Sequence, residues 1–573
     1  MRRFAPPLVT QLRPNVWDLA AAPLVFGSLV LMVLIARQVS APIETLEVAP
    51  ISLDPANLPG YALRTTARMF AALAASLVFT FTVGTLAAKG RRAGMILVPL
   101  LDILQSVPIL GYISFTVAFF LALFPGLVLG AELAAIFAIF TSQAWNMTFS
   151  FYQSLRTVPG DLDEVARTFQ LSAWQRFWQL EVPFATPGLV WNMMMSMSGG
   201  WFFVVASEAI TVGEHTIALP GIGSFVALAI AERNLTAIGW ALLTMLIVIG
   251  LYDQLMFRPL VAWSDKFRLE AAEAEAPENW LLSLFRRTQL FRGLGMPLGR
   301  LMRAAMAARL APRPGKAIRL ISQRSIPALD LIGYGIVGGF AFWGAWLTAS
   351  FVSSELGWAE VRRVLGLGAL TFIRVAVLIV LALALWVPVG VLIGLRPRLA
   401  QRIQPLAQFL AAFPANLLFP IATAAIVRFG LDPDIWLSPL MILGTQWYIL
   451  FNVVAGASTI PTDLRDAARN LHVRGWLWWR QVALPAVLPY AVTGAITASG
   501  GAWNASIVAE TVSWGDLHLT AHGLGAYIAE STAAGDYPRI VLGVAVMCLF
   551  VLALNRAVWQ PLYNTAERRF RLG

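Results

Sequence analysis

Two imidazoles four residues apart beside a carboxylate can hold a divalent cation, and His518 and His522 with Asp516 have that spacing. No wider ligand motif surrounds them, so an ordinary loop is the expectation and no metal is assigned. The single cysteine, Cys548, excludes a disulfide framework and any cysteine-ligated cluster. A phosphate loop of the form G-x-x-x-x-G-K-S/T is absent; the nearest candidate, Gly315-Lys316-Ala317, lacks both the hydroxyl and the upstream glycine. No Ser/His/Asp arrangement and no paired-carboxylate site stands out, so no catalytic residue is assigned. The conspicuous charges are instead Arg68, Arg374, Glu208 and Glu510, which border long apolar runs, where an ionisable group needs a partner.

The elements that must position these residues follow from composition. Of the 573 residues 58% are apolar and 13% are charged, against about 45–50% and about 25% in soluble domains. Uncharged stretches of roughly membrane-crossing length lie at 19–36, 69–88, 103–131, 133–155, 182–207 and 234–252, and again at 331–354, 375–395, 403–427, 435–462, 482–509 and 540–555. The expected architecture is an all-α membrane protein with twelve transmembrane helices. With the N-terminus in the cytoplasm, the loops on that side collect most of the 42 Lys and Arg, as the positive-inside rule requires, so both termini are expected to be cytoplasmic. Topology thus accounts for the net charge of +11, and no nucleic-acid partner is inferred.

Six spans in each half prompt a search for self-similarity. Val158-Pro159-Gly160-Asp161-Leu162-Asp163-Glu164-Val165-Ala166-Arg167 aligns with Ile460-Pro461-Thr462-Asp463-Leu464-Arg465-Asp466-Ala467-Ala468-Arg469 at an offset of 302. The register continues through Trp174 and Trp476, Pro183 and Pro485, Trp201 and Trp503, Glu208 and Glu510, and the pairs Gly221-Ile222-Gly223 and Gly523-Leu524-Gly525. Upstream the offset becomes 306, pairing Arg68 with Arg374 and Pro108 with Pro414. An even number of spans per half makes the two copies parallel repeats. The chain divides into a first half (1–263), a connector (264–328) and a second half (329–573). The connector begins acidic at Glu270, Glu273, Glu275 and Glu278, then carries ten basic and no acidic residues from Arg286 to Arg324. Its Trp280, Leu281, Leu284, Phe285, Leu290 and Phe291 among arginines suit a helix on an anionic membrane surface, and a solvated linker suits the pattern as well.

Residues 159–183 and 461–485 each read as a cytoplasmic helix, a turn and an amphipathic second helix. Both resemble the EAA loop of ABC importer permeases, in copy one through Glu164, Ala166, Arg167 and Pro183, and in copy two through Asp466, Ala467, Ala468, Arg469 and Pro485. The patterns from Gly200-Trp201 to Glu208 and from Gly501-Ala502-Trp503 to Glu510 extend the resemblance toward the nitrate, taurine, sulfonate and bicarbonate branch. The resemblance implies a type I ABC importer transmembrane fold in an inner membrane. It also implies two ATPase subunits on the cytoplasmic side that bind ATP and Mg, a periplasmic substrate-binding protein, and no enzymatic activity or cofactor in this chain. One departure concerns the turn, where the family's usual glycine is replaced by Gln170 and His472, and glycine is the low-cost residue for positive φ. A twelve-span secondary transporter is the rival reading, and it leaves the duplicated cytoplasmic loop unexplained.

Three sets of site residues follow. Glu164, Ala166, Phe169 and Gln170, with Asp466, Ala468, Leu471 and His472, are expected to contact the ATPases. Asn192, Ser198, Trp201 and Glu208, with Ser499, Trp503, Asn504 and Glu510, are expected to line the pathway, because Trp201 and Glu208 are seven residues apart and share a helix face. Uncharged donors for an anion are offered by Gln105, Gln143, Trp145, Asn192, Gln408, Gln446 and Asn504. Arg68 is expected to pair with Glu208, and Arg374 with Glu510, since the members of each pair share a membrane depth.

Overall fold

The computed structural model describes residue 22 and residues 51–570 apart from 213–214, 268–279 and 309–326, so nearly all of the apolar run at 19–36 lies outside the described residues. Among the described residues, seven helical segments are long and apolar enough to cross a membrane: Pro55–Lys89, Val128–Arg156, Ala173–Glu208, Leu235–Ser264, Trp358–Gly394, Gly475–Ala509 and Tyr537–Ala566. Helices suit such a setting because they satisfy every backbone donor internally where no water can.

The runs at 103–131 and 403–427 are not continuous spans. In the first, a helix Arg91–Ser106 ends before Pro108, a short turn Leu110–Tyr112 follows, and a second helix runs Ile113–Leu123. The second copy repeats the break at Pro414 between Pro397–Ala412 and Phe419–Phe429. A proline supplies no amide and disfavours the helical region for the residue before it, and at these two positions Val107 and Phe413 are extended, with ψ 126° and 129°, so the helix ends there. The run at 435–462 contains the turn Ser438–Met441 and only one longer helix, Trp447–Ser458. The run at 331–354 forms a helix, Pro327–Glu355.

The repeat is carried into the elements. In the first half α1 (Leu58–Phe79), α2 (Val128–Arg156), the loop helices α3 (Gly160–Thr168) and α4 (Ala173–Arg176), and α5 (Val182–Glu208) lead to the hairpin β1 (Ala209–Val212) and β2 (His215–Ala218). α6 (Ile222–Ala231) and α7 (Leu235–Tyr252) follow, then the connector helices α8 (Trp280–Arg287) and α9 (Leu290–Ala307). The second half answers with α10 (Trp358–Gly394), α11 (Thr462–Asn470), α12 (Gly475–Trp478), α13 (Leu484–Ala509), β3 (Thr511–Trp514), β4 (Leu517–Thr520), α14 (Leu524–Ala534) and α15 (Tyr537–Leu554). Both hairpins are antiparallel, and their registers, Ala209 opposite Ala218 and Thr511 opposite Thr520, are equivalent. Even the wide π turns recur, at Phe177–Glu181 and Trp479–Ala483. Each stands just before a proline or contains the residues leading to it, where an ordinary i to i−4 bond to Pro183 or Pro485 cannot form.

Two apolar cores result, and they exchange elements. The first gathers Met69, Phe151, Trp201 and Phe225 but also takes Leu417 from the second half. The second gathers Trp503, Ile528 and Met547 and takes Ile109, Leu110, Ile113 and Val117 from the first. The proline-broken segment of each half is therefore packed into the other half.

Candidate functional site

At one end of each half, a buried arginine ties three elements together. Arg68 on α1 directs Nε and Nη2 to the Glu132 carboxylate on α2 at 2.6 and 2.7 Å, and Nη1 to Glu208 Oε1 at the end of α5 at 2.7 Å. Thr65, one turn earlier on α1, donates to Glu208 Oε1 at 2.7 Å and accepts from the Ile222 amide at 3.0 Å. Glu208 Oε2 accepts from the Gly223 amide at 2.7 Å, so the carboxylate also caps the start of α6. One guanidinium faces two carboxylates, and the positive end of α6 supplies further compensation for the second. The glycines are required by closeness: a Cβ on Gly221 would lie 2.3 Å from the Glu208 carboxyl, and one on Gly223 2.2 Å from the Val205 carbonyl.

The second half repeats the arrangement with looser geometry. Arg374 on α10 reaches Glu510 Oε1 at 3.3 Å and Asp434 Oδ1 at 2.8 Å. Thr371 donates to Glu510 Oε1 at 2.8 Å and accepts from the Leu524 amide at 2.9 Å, while the Gly525 and Ala526 amides donate to Glu510 Oε2 at 2.8 and 3.1 Å. Here His522 joins, its amide and its Nδ1 lying 2.6 and 2.9 Å from the two Asp434 oxygens.

At the opposite end of the spans, α3 and α11 each start after a proline, Pro159 or Pro461, and carry acidic residues in the first turn. Each ends in a left-handed residue, Gln170 at φ 51° and His472 at φ 53°. The turn bonds match: Gln170 N to Arg167 O at 3.0 Å with Leu171 N to Ala166 O at 3.1 Å, and His472 N to Arg469 O at 3.0 Å with Val473 N to Ala468 O at 2.9 Å. This is the helix-ending motif that glycine usually supplies. Two backbone bonds hold it despite a cost of about 1–2 kcal/mol for a side chain in that region. Phe169 and Leu471, just before the turns, are 72% and 76% exposed.

Between the halves lies a cavity of about 190 Å³ with no charged lining. The first half contributes Gln105, Ser142, Trp145, Asn146, Ser198 and Phe202, and the second Thr445, Tyr448, Thr497 and Asn504. Bonds across the halves frame it. The Ile109 amide donates to Asn504 Oδ1 at 2.7 Å, Asn416 Nδ2 to the Phe202 carbonyl at 3.0 Å, and the Ser198 hydroxyl to the Ala411 carbonyl. Toward the arginine networks a larger hollow of about 440 Å³ opens, lined by Val205, Ala206, Thr423, Val508 and Thr511 among others.

The sequence pattern of the binding-protein-dependent transport system inner membrane component family matches this chain twice, at residues 80–258 and 386–571. The chain belongs to that family. Among its relatives, the nitrate import permease protein NrtB of Leptolyngbya laminosa is 30% identical over 185 residues, which is 32% of this chain and 63% of that protein. The bicarbonate transport system permease protein CmpB of Synechococcus elongatus is 32% identical over the same length and the same shares. The probable ABC transporter permease protein BMEII0107 of Brucella melitensis is 28% identical over 193 residues, 33% of this chain and 71% of that protein. The chain thus spans 63% of the length of the first two relatives.

In this inner membrane component, several expected site residues stand elsewhere. Of the eight expected to line the pathway, Ser198 and Asn504 border the central cavity. Trp201 is fully buried against Tyr252, with ring centroids 5.9 Å apart, and Trp503 is packed beside Phe550 at 6.2 Å. Glu208 and Glu510 are held in the arginine networks, Ser499 is buried, and Asn192 bonds Ser150 Oγ at 2.9 Å within the first half. The spacing of seven does put Trp201 and Glu208 on one face, but that face turns into its own half, whereas the face of Ser198 and Phe202 meets the other half. Among the donors, Gln143 contacts Met69 and Met197, Gln446 accepts from Trp386, and the Gln408 side chain lies outside the described residues. Ala166 and Ala468 are buried beneath their helices rather than presented outward. Glu164, Gln170, Asp466 and His472 are exposed. The sequence reading missed Glu132 and Asp434, although both are acidic and stand 302 apart, the offset of the repeat.

Proposed function

We propose that the chain is the membrane-spanning permease of an ATP-driven importer, with both permease halves on one polypeptide and the inter-half cavity as the route for a small anion of the nitrate, bicarbonate, sulfonate or taurine kind. In this reading twelve membrane passages, two of them broken at Pro108 and Pro414, form two parallel sets of six, both termini are cytoplasmic, and the arginine networks lie toward the periplasm. Two ATPases, which bind the ATP and Mg, dock on α3 and α11, and a binding protein delivers solute at the other face. The observation that carries the reading is the family match in duplicate together with two equivalent loops that present an apolar residue, Phe169 or Leu471, on an exposed helix end. Exposed apolar groups in a polar frame are what a partner covers. Movement of the two loops would then tilt the halves about the cross-half bonds at Asn504, Asn416 and Ser198. An uncharged, donor-bearing cavity suits an anion in transit, since a fixed cation would hold it too tightly to release it.

Copurification and uptake test this. The chain should retain an ATPase, and proteoliposomes with the binding protein should accumulate nitrate, bicarbonate or a sulfonate only when ATP is supplied inside the cytoplasmic compartment. Phe169→Asp with Leu471→Asp should release the ATPase while the chain stays monodisperse. Uptake indifferent to ATP would overturn the permease reading, and uptake of sugars or amino acids alone would overturn the anion.

A further inference from the structure

The connector does not hang free of the first coupling loop. α8 packs Leu281 and Leu284 against Leu255, which lies in the segment Leu235–Ser264, so the connector starts at the foot of a span. α9 then runs to the loop and ends on it: Trp174 Nε1 donates to the Ala305 carbonyl at 2.8 Å and Gln175 Nε2 to the Ala307 carbonyl at 2.7 Å. Both carbonyls belong to the last turn of α9, whose carbonyls lack the usual helical donors; that of Ala305 also accepts from the Ala308 amide just past the helix at 3.3 Å. Two side chains of α4 therefore cap α9. The second coupling loop has no such brace among the described residues. Its equivalents are Trp476, which is 73% exposed, and Leu477, which has no donor to offer.

The outer surface of α9 is two-sided. Leu301 and Met302 are exposed on one side, and Arg300 and Arg303, three residues apart and also exposed, share the other. From Arg286 to Arg324 the sequence is basic without a single acidic residue. An apolar stripe backed by arginines, tethered to the end of a span, is the composition of a helix that lies in a headgroup layer of negative charge.

We propose that α9 rests in the anionic cytoplasmic leaflet and, through Trp174 and Gln175, holds the first coupling loop to that surface, so that ATP-driven transport requires anionic phospholipid on one side of a structurally uneven pair of loops. The proposal rests on the reading that puts both loops at the cytoplasmic face. The full chain, with Cys548→Ser and Leu301→Cys carrying an environment-sensitive fluorophore, is placed in nanodiscs of phosphatidylcholine alone or with phosphatidylglycerol, each containing nitroxide-labelled lipid. Quenching should be several-fold stronger with phosphatidylglycerol and should fall at high salt. Arg300→Gln with Arg303→Gln should abolish that difference. With the ATPase bound, hydrolysis should rise several-fold in phosphatidylglycerol, and Trp174→Phe with Gln175→Leu should remove that rise while leaving the quenching in place. Equal quenching in both lipids would overturn the proposal, as would shielding of the Leu301 probe that appears only when the ATPase is added, which would make this surface an ATPase contact. Failure of the chain to retain any ATPase would sink the permease reading instead, and the quenching would still judge where α9 lies.

Discussion

The two arginine networks are built from one plan and meet water differently. Arg68, Glu132 and Glu208 are 3%, 7% and 0% exposed at their side chains, whereas Arg374, Asp434 and Glu510 are 14%, 38% and 2% exposed. The first half closes this corner with Pro220, while the second has His522 at the equivalent position, bonded to Asp434. The same difference runs through the loops that hold α3 and α11. Asp163, Arg167, Arg176, Glu181 and Lys89 form a chain of ion pairs in the first half, and their equivalents Arg465, Arg469, Trp478, Ala483 and Leu395 cannot. The first half is thus pinned by charge at both ends, and the second relies more on apolar packing and solvent. Carrying the two family domains on one chain permits this divergence, because each copy is free to change alone.

The largest effect is expected from Arg68→Met. It leaves Glu132 and Glu208 buried together without a counter-charge, and breaking a buried pair in this way costs about 3–5 kcal/mol. Thermal unfolding of the purified chain should show a heavy loss or no folded protein. Replacing all three, Arg68→Met with Glu132→Gln and Glu208→Gln, should recover much of it. Additive losses across these variants would mean that the three groups do not act as a unit.

Arg374→Met should cost less than Arg68→Met, because it strands one buried carboxylate rather than two: Glu510 keeps Thr371 and two backbone amides, while Asp434 is already partly hydrated and keeps His522. An equal loss at Arg68 and Arg374 would remove burial as the source of the difference between the halves.

How far the sequence could foresee this differs by level. The repeat and the loops were legible because both copies share residue types at a fixed offset, and the Arg-to-Glu pairing was legible from shared depth. The third acid is not, because Glu132 and Asp434 stand at the ends of apolar runs, where a charge marks a boundary without naming a partner. Cutting the chain at charges also joined 103–131 across Pro108, since that criterion is blind to backbone breakers. The cavity face was misassigned because a spacing of seven identifies a common face but says nothing about which neighbour the face meets.

The turns that end α3 and α11 offer a smaller and more even effect. Gln170→Gly and His472→Gly each relieve a side chain at positive φ, which is worth about 1–2 kcal/mol, and each adds backbone freedom to the unfolded chain, which takes back about 0.4–1 kcal/mol. A net gain of roughly 0.5 kcal/mol per site is expected in thermal unfolding, the same in both halves because both turns share φ and hydrogen bonds. Unequal gains would show that the ion-pair chain around the first loop strains or supports its turn.

The smallest effect is confined to the second half and depends on pH. Asp434 stands in the short helix Pro433–Trp436, outside the seven spans. Burial pushes its carboxyl up, but the His522 hydrogen bonds and the charges of His522 and Arg374 outweigh this and hold it below its ordinary value near 3.8. A carboxylate depressed on folding adds stability above its unfolded value, and that contribution disappears as pH falls through the folded one. The second network should therefore be at full strength at neutral pH and weaken below about pH 4. His522→Ala removes two of the four influences that hold the carboxyl down and leaves the Arg374 charge and the backbone amide of position 522. Its thermal stability should then begin to fall at a higher pH than that of the unchanged chain, and the two should converge once Asp434 is protonated in both. Pro220 gives the first half no titrating counterpart at this position, so Pro220→Ala should leave the acid limb of the stability profile where it was. A profile unmoved by His522→Ala would mean that Arg374 alone sets the Asp434 charge, and the two networks would differ in exposure but not in their response to acid.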